Sequence, residues 1–178
     1  TIGDGVESIG EDAFSGCESL TKVHVTDLGT WCNIDFEDQY ANPLYYAGHL
    51  YMNDREITNL VIPNSVKNIS NYAFFNCESL SSVVIPNSVS SIGYAAFIDC
   101  SSLTSVTIPD SVTSIGDSAF YNCSGLTSVT IGSGVTNIGT EAFYGCSRLA
   151  SVYISSLKNW CEIDFGQDSG PLHWFDQS

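Results

Sequence analysis

The sequence predicts an α/β solenoid: short parallel strands stacked on a concave side, short helical or 3₁₀ turns on a convex side. Three observations predict it. Apolar positions recur every 23 residues, each recurrence holds a β-branched alternating segment, and a Gly-x-x-Ala-Phe-x-x-Cys stretch stands at constant phase to it. A fixed period of this length marks a repeat architecture, in which each unit buries its apolar face against its neighbours.

Val66, Val89, Val112 and Val135 stand 23 residues apart, as do Ile69, Ile92, Ile115 and Ile138. The same step carries Ala73-Phe74 to Ala96-Phe97, Ala119-Phe120 and Ala142-Phe143. It also carries Cys77 to Cys100, Cys123 and Cys146, and Leu80 to Leu103, Leu126 and Leu149. An earlier copy runs through Val6, Ile9, Ala13-Phe14, Cys17, Leu20, Val23 and Val25.

Within each unit, Leu-x-x-Val-x-Ile reads as a strand with its apolar residues inward and the intervening positions outward. Pro63, Pro86 and Pro109 follow these strands, where the missing N–H ends the ladder. Val-x-x-Ile is a second short extended piece. Gly10, Gly93, Gly116 and Gly139 are then expected to turn the chain with positive φ. The Ala-Phe segment suits one or two helical turns, with Phe14, Phe74, Phe97, Phe120 and Phe143 forming an internal stacked spine.

One unit is longer. Leu20 and Ile57 hold equivalent positions 37 residues apart, so the unit at about 20–56 carries 14 extra residues. These include Leu28, Trp31-Cys32, Ile34-Asp35-Phe36 and Asn42-Pro43-Leu44. The pattern returns 129 residues later as Leu157, Trp160-Cys161, Ile163-Asp164-Phe165 and Pro171-Leu172, a truncated second long unit from about 149. Residues 1–178 therefore read as one array segment, expected to have been excised from a longer protein, since neither end carries a capping repeat.

Composition removes several functions. The net charge of −15 leaves no basic cluster for nucleic acid, nor for an anionic membrane surface. No apolar run reaches the roughly 20 residues needed to span a bilayer, so membrane insertion is not expected. With 43% hydrophobic residues the chain is no disordered acidic tail.

The repeat resembles the BspA-like (Treponema pallidum-type) leucine-rich repeats, and the Trp-Cys insertion resembles a variant unit found among them. The resemblance implies a right-handed leucine-rich repeat solenoid in a secreted or surface-attached protein, extracellular or at the cell surface. It further implies adhesion, with a host or neighbouring-cell protein or glycan as partner.

No catalytic constellation stands out. The seven Cys contain no Cys-x-x-Cys pair and are not interleaved with His at metal spacing. Held at repeat positions like Leu, they read as buried free thiols. His24, His49 and His173 are scattered, and no Gly-x-Ser-x-Gly elbow, phosphate loop or His-Glu-x-x-His occurs. Asp35, Asp164 and Glu37-Asp38 lack a calcium-loop pattern and read as solvated turn carboxylates. An enzyme, a cofactor and a bound metal are therefore not expected.

Two surfaces remain as candidates for ligand binding. The outward strand positions give Ser105 and Thr107, Ser128 and Thr130, and Tyr153. The long unit crowds Tyr40, Tyr45, Tyr46, His49, Tyr51 and Met52 into thirteen positions, with Tyr45, Tyr46, His49 and Tyr51 the stronger candidates. Leu28, Trp31 and Trp160 read as core plugs bracing the insert. Recognition or adhesion is thus the leading function. The alternatives are a structural spacer or stalk in a surface protein, and a carbohydrate-attachment segment of a larger secreted enzyme.

Overall fold

The computed structural model describes residues 1–166. In chain order its elements are β1 (Ser8–Ile9), β2 (Val23–Val25), α1 (Leu28–Asn33), β3 (Asp35–Phe36), a 3₁₀ turn (Gln39–Ala41), α2 (Leu44–Ala47), β4 (Leu50–Met52), β5 (Arg55–Glu56) and β6 (Asn59–Val61). Then follow β7 (Asn68–Ile69), β8 (Ser82–Val84), β9 (Ser91–Ile92), β10 (Ser105–Ile108), β11 (Ser114–Ile115), β12 (Ser128–Ile131), β13 (Asn137–Ile138), β14 (Ser151–Ile154), α3 (Leu157–Glu162) and β15 (Asp164–Phe165).

The 23-residue step is the strand register itself. Val106 pairs with Val129 and Ile108 with Ile131, while Ile92 pairs with Ile115 and Ile115 with Ile138. Two parallel five-stranded sheets result, one in the order β14-β12-β10-β8-β6 and one in the order β15-β13-β11-β9-β7. Between them lie the buried Leu, Val and Ile of every full unit. Phe74, Phe97, Phe120 and Phe143 are fully buried and stack face to face at 5.1–5.2 Å. This is an α/β solenoid with four of the five predicted spine residues; Phe14, in the first coil and separated from Phe74 by the long unit, is half-buried and outside the stack.

The abundant Ser and Thr serve the same ladder. Ser81 Oγ donates to Thr58 O, Thr104 Oγ1 to Ser81 O and Thr127 Oγ1 to Thr104 O, at 2.8, 3.2 and 3.0 Å. A second file links Thr113 to Ser90 O and Thr136 to Thr113 O.

The Ala-Phe segments depart from the helical expectation. They are chains of tight turns, and helix occurs only in the long units. Two residues in each take positive φ: Asp12, Tyr72, Ala95, Ser118 and Glu141 before Ala-Phe, then Gly16, Asn76, Asp99, Asn122 and Gly145 before Cys. A left-handed residue twice in six interrupts any α-helix. Alternate N–H groups instead cross to the next unit, Ala95 to Asp117 O, Phe97 to Ala119 O and Asp99 to Tyr121 O, all at 2.8–2.9 Å.

The glycine expectation is corrected too. Gly10, Gly93, Gly116 and Gly139 do not take positive φ. In the full units the requirement is space: a Cβ on Gly116 would lie 2.7 Å from Gly93 C, and one on Gly139 2.4 Å from Asp117 N. Only glycine lets consecutive backbones approach this closely.

The long unit breaks the strand sheet. β2 pairs with β4 rather than with β6, Val23 standing opposite Leu50, and β4 folds back on β5 as an antiparallel hairpin. Asn53 and Asp54 form its two-residue loop, both at positive φ (51° and 58°), as a type I′ turn requires. The 14 extra residues are therefore two additions. A longer coil carries α1, the 3₁₀ turn and α2, and a hairpin is inserted before the ladder resumes at β6.

Trp31 and Leu28 are buried as expected, and Trp31 Nε1 donates to Ala73 O at 2.8 Å. Trp160 is half-buried against the core. It meets Phe165 edge-on at 5.3 Å, as Trp31 meets Phe36 at 5.3 Å. His173 and Pro171-Leu172 lie outside the described residues.

Candidate functional site

The strand face is built by register. Because side chains alternate, inward Val and Ile force Ser105, Thr107, Ser128, Thr130 and Tyr153 outward onto adjacent strands, with Ser105 opposite Ser128 and Thr130 opposite Tyr153. Ser105 and Thr107 are exposed, Ser128 and Thr130 half-buried, and Tyr153 is 60% exposed. Among the described residues their side chains make no hydrogen bond, whereas Ser81, Thr104 and Thr127 are committed to backbone carbonyls. The rows thus separate hydroxyls that build the ladder from hydroxyls left for solvent or ligand. Towards the hairpin the same outward row turns apolar, with Val84 56% and Val61 61% exposed.

The aromatic residues of the long unit fall into two separate clusters. Tyr51 and His49 belong to the strand face. Tyr51 stacks on His24 at 5.1 Å, and Lys22 Nζ sits 5.2 Å from the Tyr51 ring centre. His49 Nδ1 lies 2.6 Å from Glu56 Oε1, and Tyr51 Oη donates to Glu56 Oε2 at 3.4 Å. Asp54 Oδ1 lies 3.7 Å from His24 Nδ1. The hydrogen bond with His49 is the main cause holding the Glu56 carboxyl below its ordinary value.

Tyr45 and Tyr46 belong instead to the turn segments. Tyr46 Oη accepts from Gly16 N at 3.0 Å. Tyr45 packs edge-on against Tyr40 and Tyr46, each at 4.9 Å, and stacks on Phe75 at 5.5 Å. Both rings are half-buried, so they brace the insert against its neighbours as much as they present a surface. Buried Asn42 completes the brace, donating through Nδ2 to Tyr72 O at 2.7 Å and accepting from Leu44 N at 2.9 Å.

Phe75 opens a second apolar file beside the buried spine. Ile98, Tyr121 and Tyr144 follow it at the 23-residue step. Tyr121 stacks on Tyr144 at 5.4 Å, and Tyr144 is 42% exposed. The signal was present in the sequence as the residue after each conserved-phase Phe, masked by the stronger Phe register.

The cysteines are more than small apolar fillers. Cys100, Cys123 and Cys146 donate through Sγ to Phe74 O, Phe97 O and Phe120 O at 3.1–3.2 Å, closing the turn of the preceding unit. Burial pushes the thiols of Cys32 and Cys77 up to about 12, and those of Cys100 and Cys123 well above the ordinary value. These buried thiols are therefore neutral and unreactive at physiological pH. Cys17 and Cys161 depart from the buried expectation: both are exposed, because each stands in an outermost coil with no further coil of the described residues beyond it.

Stacked parallel strands, a continuous Phe spine and interlocked turns define a leucine-rich repeat solenoid whose strand face presents a non-committed polar surface. The family model for the BspA type leucine-rich repeat region matches in six copies, over residues 1–35 and 47–167. The chain belongs to the BspA-type leucine-rich repeat family. The unmatched stretch spans the 3₁₀ turn and most of α2.

Among solved structures, a leucine-rich repeat protein of T. pallidum is similar over 96% of this chain and 72% of its own, with 26% identity and a TM-score of 0.62. A leucine-rich cell surface protein of Faecalibacterium prausnitzii is similar over 90% of this chain, with 24% identity and a TM-score of 0.55. A leucine-rich repeat protein of Eubacterium ventriosum covers 82%, with 21% identity and a TM-score of 0.51. This chain spans 55% and 51% of those last two. Comparison with curated proteins returned no match.

Proposed function

We propose that this chain is a non-catalytic recognition module, displayed outside the cell or on its surface, that holds a protein or glycan ligand on its strand face. The observation that carries the reading is the row of outward hydroxyls at Ser105, Thr107, Ser128 and Thr130, free of internal hydrogen bonds beside a file of ladder-bound hydroxyls at Ser81, Thr104 and Thr127. A solenoid surface of this kind collects affinity from many weak contacts on a rigid support. The family, and the description of the F. prausnitzii neighbour as a cell surface protein, support the location.

The test is a binding screen against host-matrix proteins and glycans with three proteins in parallel. These are the wild type, Ser105→Arg with Ser128→Arg on the strand face, and Tyr121→Ala with Tyr144→Ala on the turn segments. Saturable binding lost only in the strand-face variant supports the reading. A spacer binds nothing across the panel, and loss confined to the Tyr variant moves recognition to the turns.

A further inference from the structure

The hairpin leaves a strand edge open. β6 is the terminal strand of its sheet and pairs on one side only, with β8, while β5 is terminal in the sheet of β2, β4 and β5. Thr58 O accepts from Ser81 N at 2.7 Å and Ile62 N donates to Val84 O at 3.0 Å, so the even-numbered residues of this segment face β8. In a parallel ladder successive residues point their N–H and C=O groups to opposite sides. The backbone groups of Asn59 and Val61 therefore point away from β8, towards the hairpin.

A groove of about 510 Å³ lies beside that edge, lined by the hairpin residues Met52, Arg55 and Glu56 and by Ile57, Thr58 and Asn59. Unpaired strand edges are templates for another strand, and most proteins cover them. Here the neighbouring outward side chains are apolar, Val61 and Val84. Among the described residues Glu56 is occupied by His49, and Arg55 has no ion pair, which gives the groove an uncommitted cation in a chain of net charge −15.

We propose that β6 is a strand-addition site. An extended polypeptide segment of a partner protein, apolar at alternate positions and carrying a carboxylate, pairs with the free edge at Asn59 and Val61. The backbone edge selects polypeptide over glycan, because only a peptide backbone offers matching donors and acceptors at strand spacing. Val61, on the edge strand itself, receives an apolar side chain, with Val84 extending the apolar surface behind it, and Arg55 receives the acid. The inference deepens the recognition reading by naming its partner class.

The probe is a displayed library of random octapeptides panned on the purified protein, with enriched sequences then synthesised. Enrichment of alternating apolar sequences containing Asp or Glu is expected. Asn59→Pro and Val61→Pro each remove an N–H that faces away from β8 and keep the backbone ladder. Asn59→Pro loses in addition the side-chain bond from Ser82 Oγ, so Val61→Pro is the cleaner probe. Each should weaken binding at least tenfold while the circular-dichroism spectrum is unchanged. Arg55→Glu should weaken it several-fold. Independently of any variant, bound peptide should slow exchange of the Asn59 and Val61 amides at least tenfold.

No enrichment, equal binding to a folded Val61→Pro variant, or unchanged exchange at those amides overturns the inference. Strand-face binding abolished by Ser105→Arg with Ser128→Arg, with no peptide held at β6, overturns this inference alone. Peptide held at β6 with no ligand found in the matrix and glycan screen overturns the broader reading alone.

Discussion

Replacing Phe97 by Ala removes a ring that is fully buried and stacked between Phe74 at 5.1 Å and Phe120 at 5.2 Å, almost parallel to the latter. Truncating a buried Phe costs about 3–5 kcal/mol through lost transfer energy and the remaining cavity. The upper half of that range applies here, because the backbones on either side are pinned. Phe97 N donates to Ala119 O and Phe74 N to Ala96 O, both at 2.8 Å, so the coils cannot collapse into the space.

For a domain of this size each kcal/mol moves the melting point by about 2–4 °C, giving a fall of roughly 8–20 °C. Phe97→Leu, which keeps most of the volume, should lose less than half as much. Urea and thermal unfolding by circular dichroism measure both, with Ser102→Ala as an exposed control. A Phe97→Ala variant within 1 kcal/mol of wild type refutes the spine as the principal stabilising contact between units.

Three further outcomes follow from individual contacts. Gly116→Ala places its Cβ 2.7 Å from Gly93 C and should destabilise by more than about 2 kcal/mol, while Gly5→Ala, with open space around it, should change stability by less than about 1 kcal/mol in urea titrations. A thiol reagent should label Cys17 and Cys161 quickly in the native protein and the remaining five only on unfolding. The buried thiols titrate above their unfolded value of about 8.5, so their contribution is complete below that pH. It is lost as the unfolded chain ionises, up to about 1.4 kcal/mol per thiol per pH unit between pH 9 and 11, read as a falling urea midpoint. Glu56 titrates below its ordinary value, so its contact with His49 stabilises the hairpin above about pH 4.3 and is lost as pH falls further. The amide protection of Met52, measured against the intrinsic exchange rate at each pH, should fall there in wild type and stay constant in Glu56→Gln, and a wild-type protection that does not change with pH contradicts this.

The register was legible because the same side chains recur at 23 residues, and a parallel sheet converts sequence period directly into pairing. What the period could not convey was conformation within the turns. Tyr72, Ala95 and Ser118 are poor advertisements for positive φ, and they take it because cross-unit hydrogen bonds outweigh local preference. Gly93 and Gly116 drew attention as turn residues, yet contact with the preceding coil explains them.

The aromatic cluster of the long unit was visible as composition. Its division into Tyr51 with His49 on the strands, and Tyr45 with Tyr46 on the turns, depends on the path of α2 and the hairpin. No residue pattern encoded the opening at β6 either, because it arises where β4 turns away to β5.

Amide hydrogen exchange along β6 and β8 is the most direct measurement of a strand face that is continuous through the full units and interrupted at the hairpin. A broken ladder protects Leu60, Val83 and Val84 while Asn59 and Val61 exchange at least a hundredfold faster. Uniform protection of Asn59, Leu60 and Val61 would mean that the sheet continues past β6. It would contradict both the open edge and the recognition surface drawn beside it.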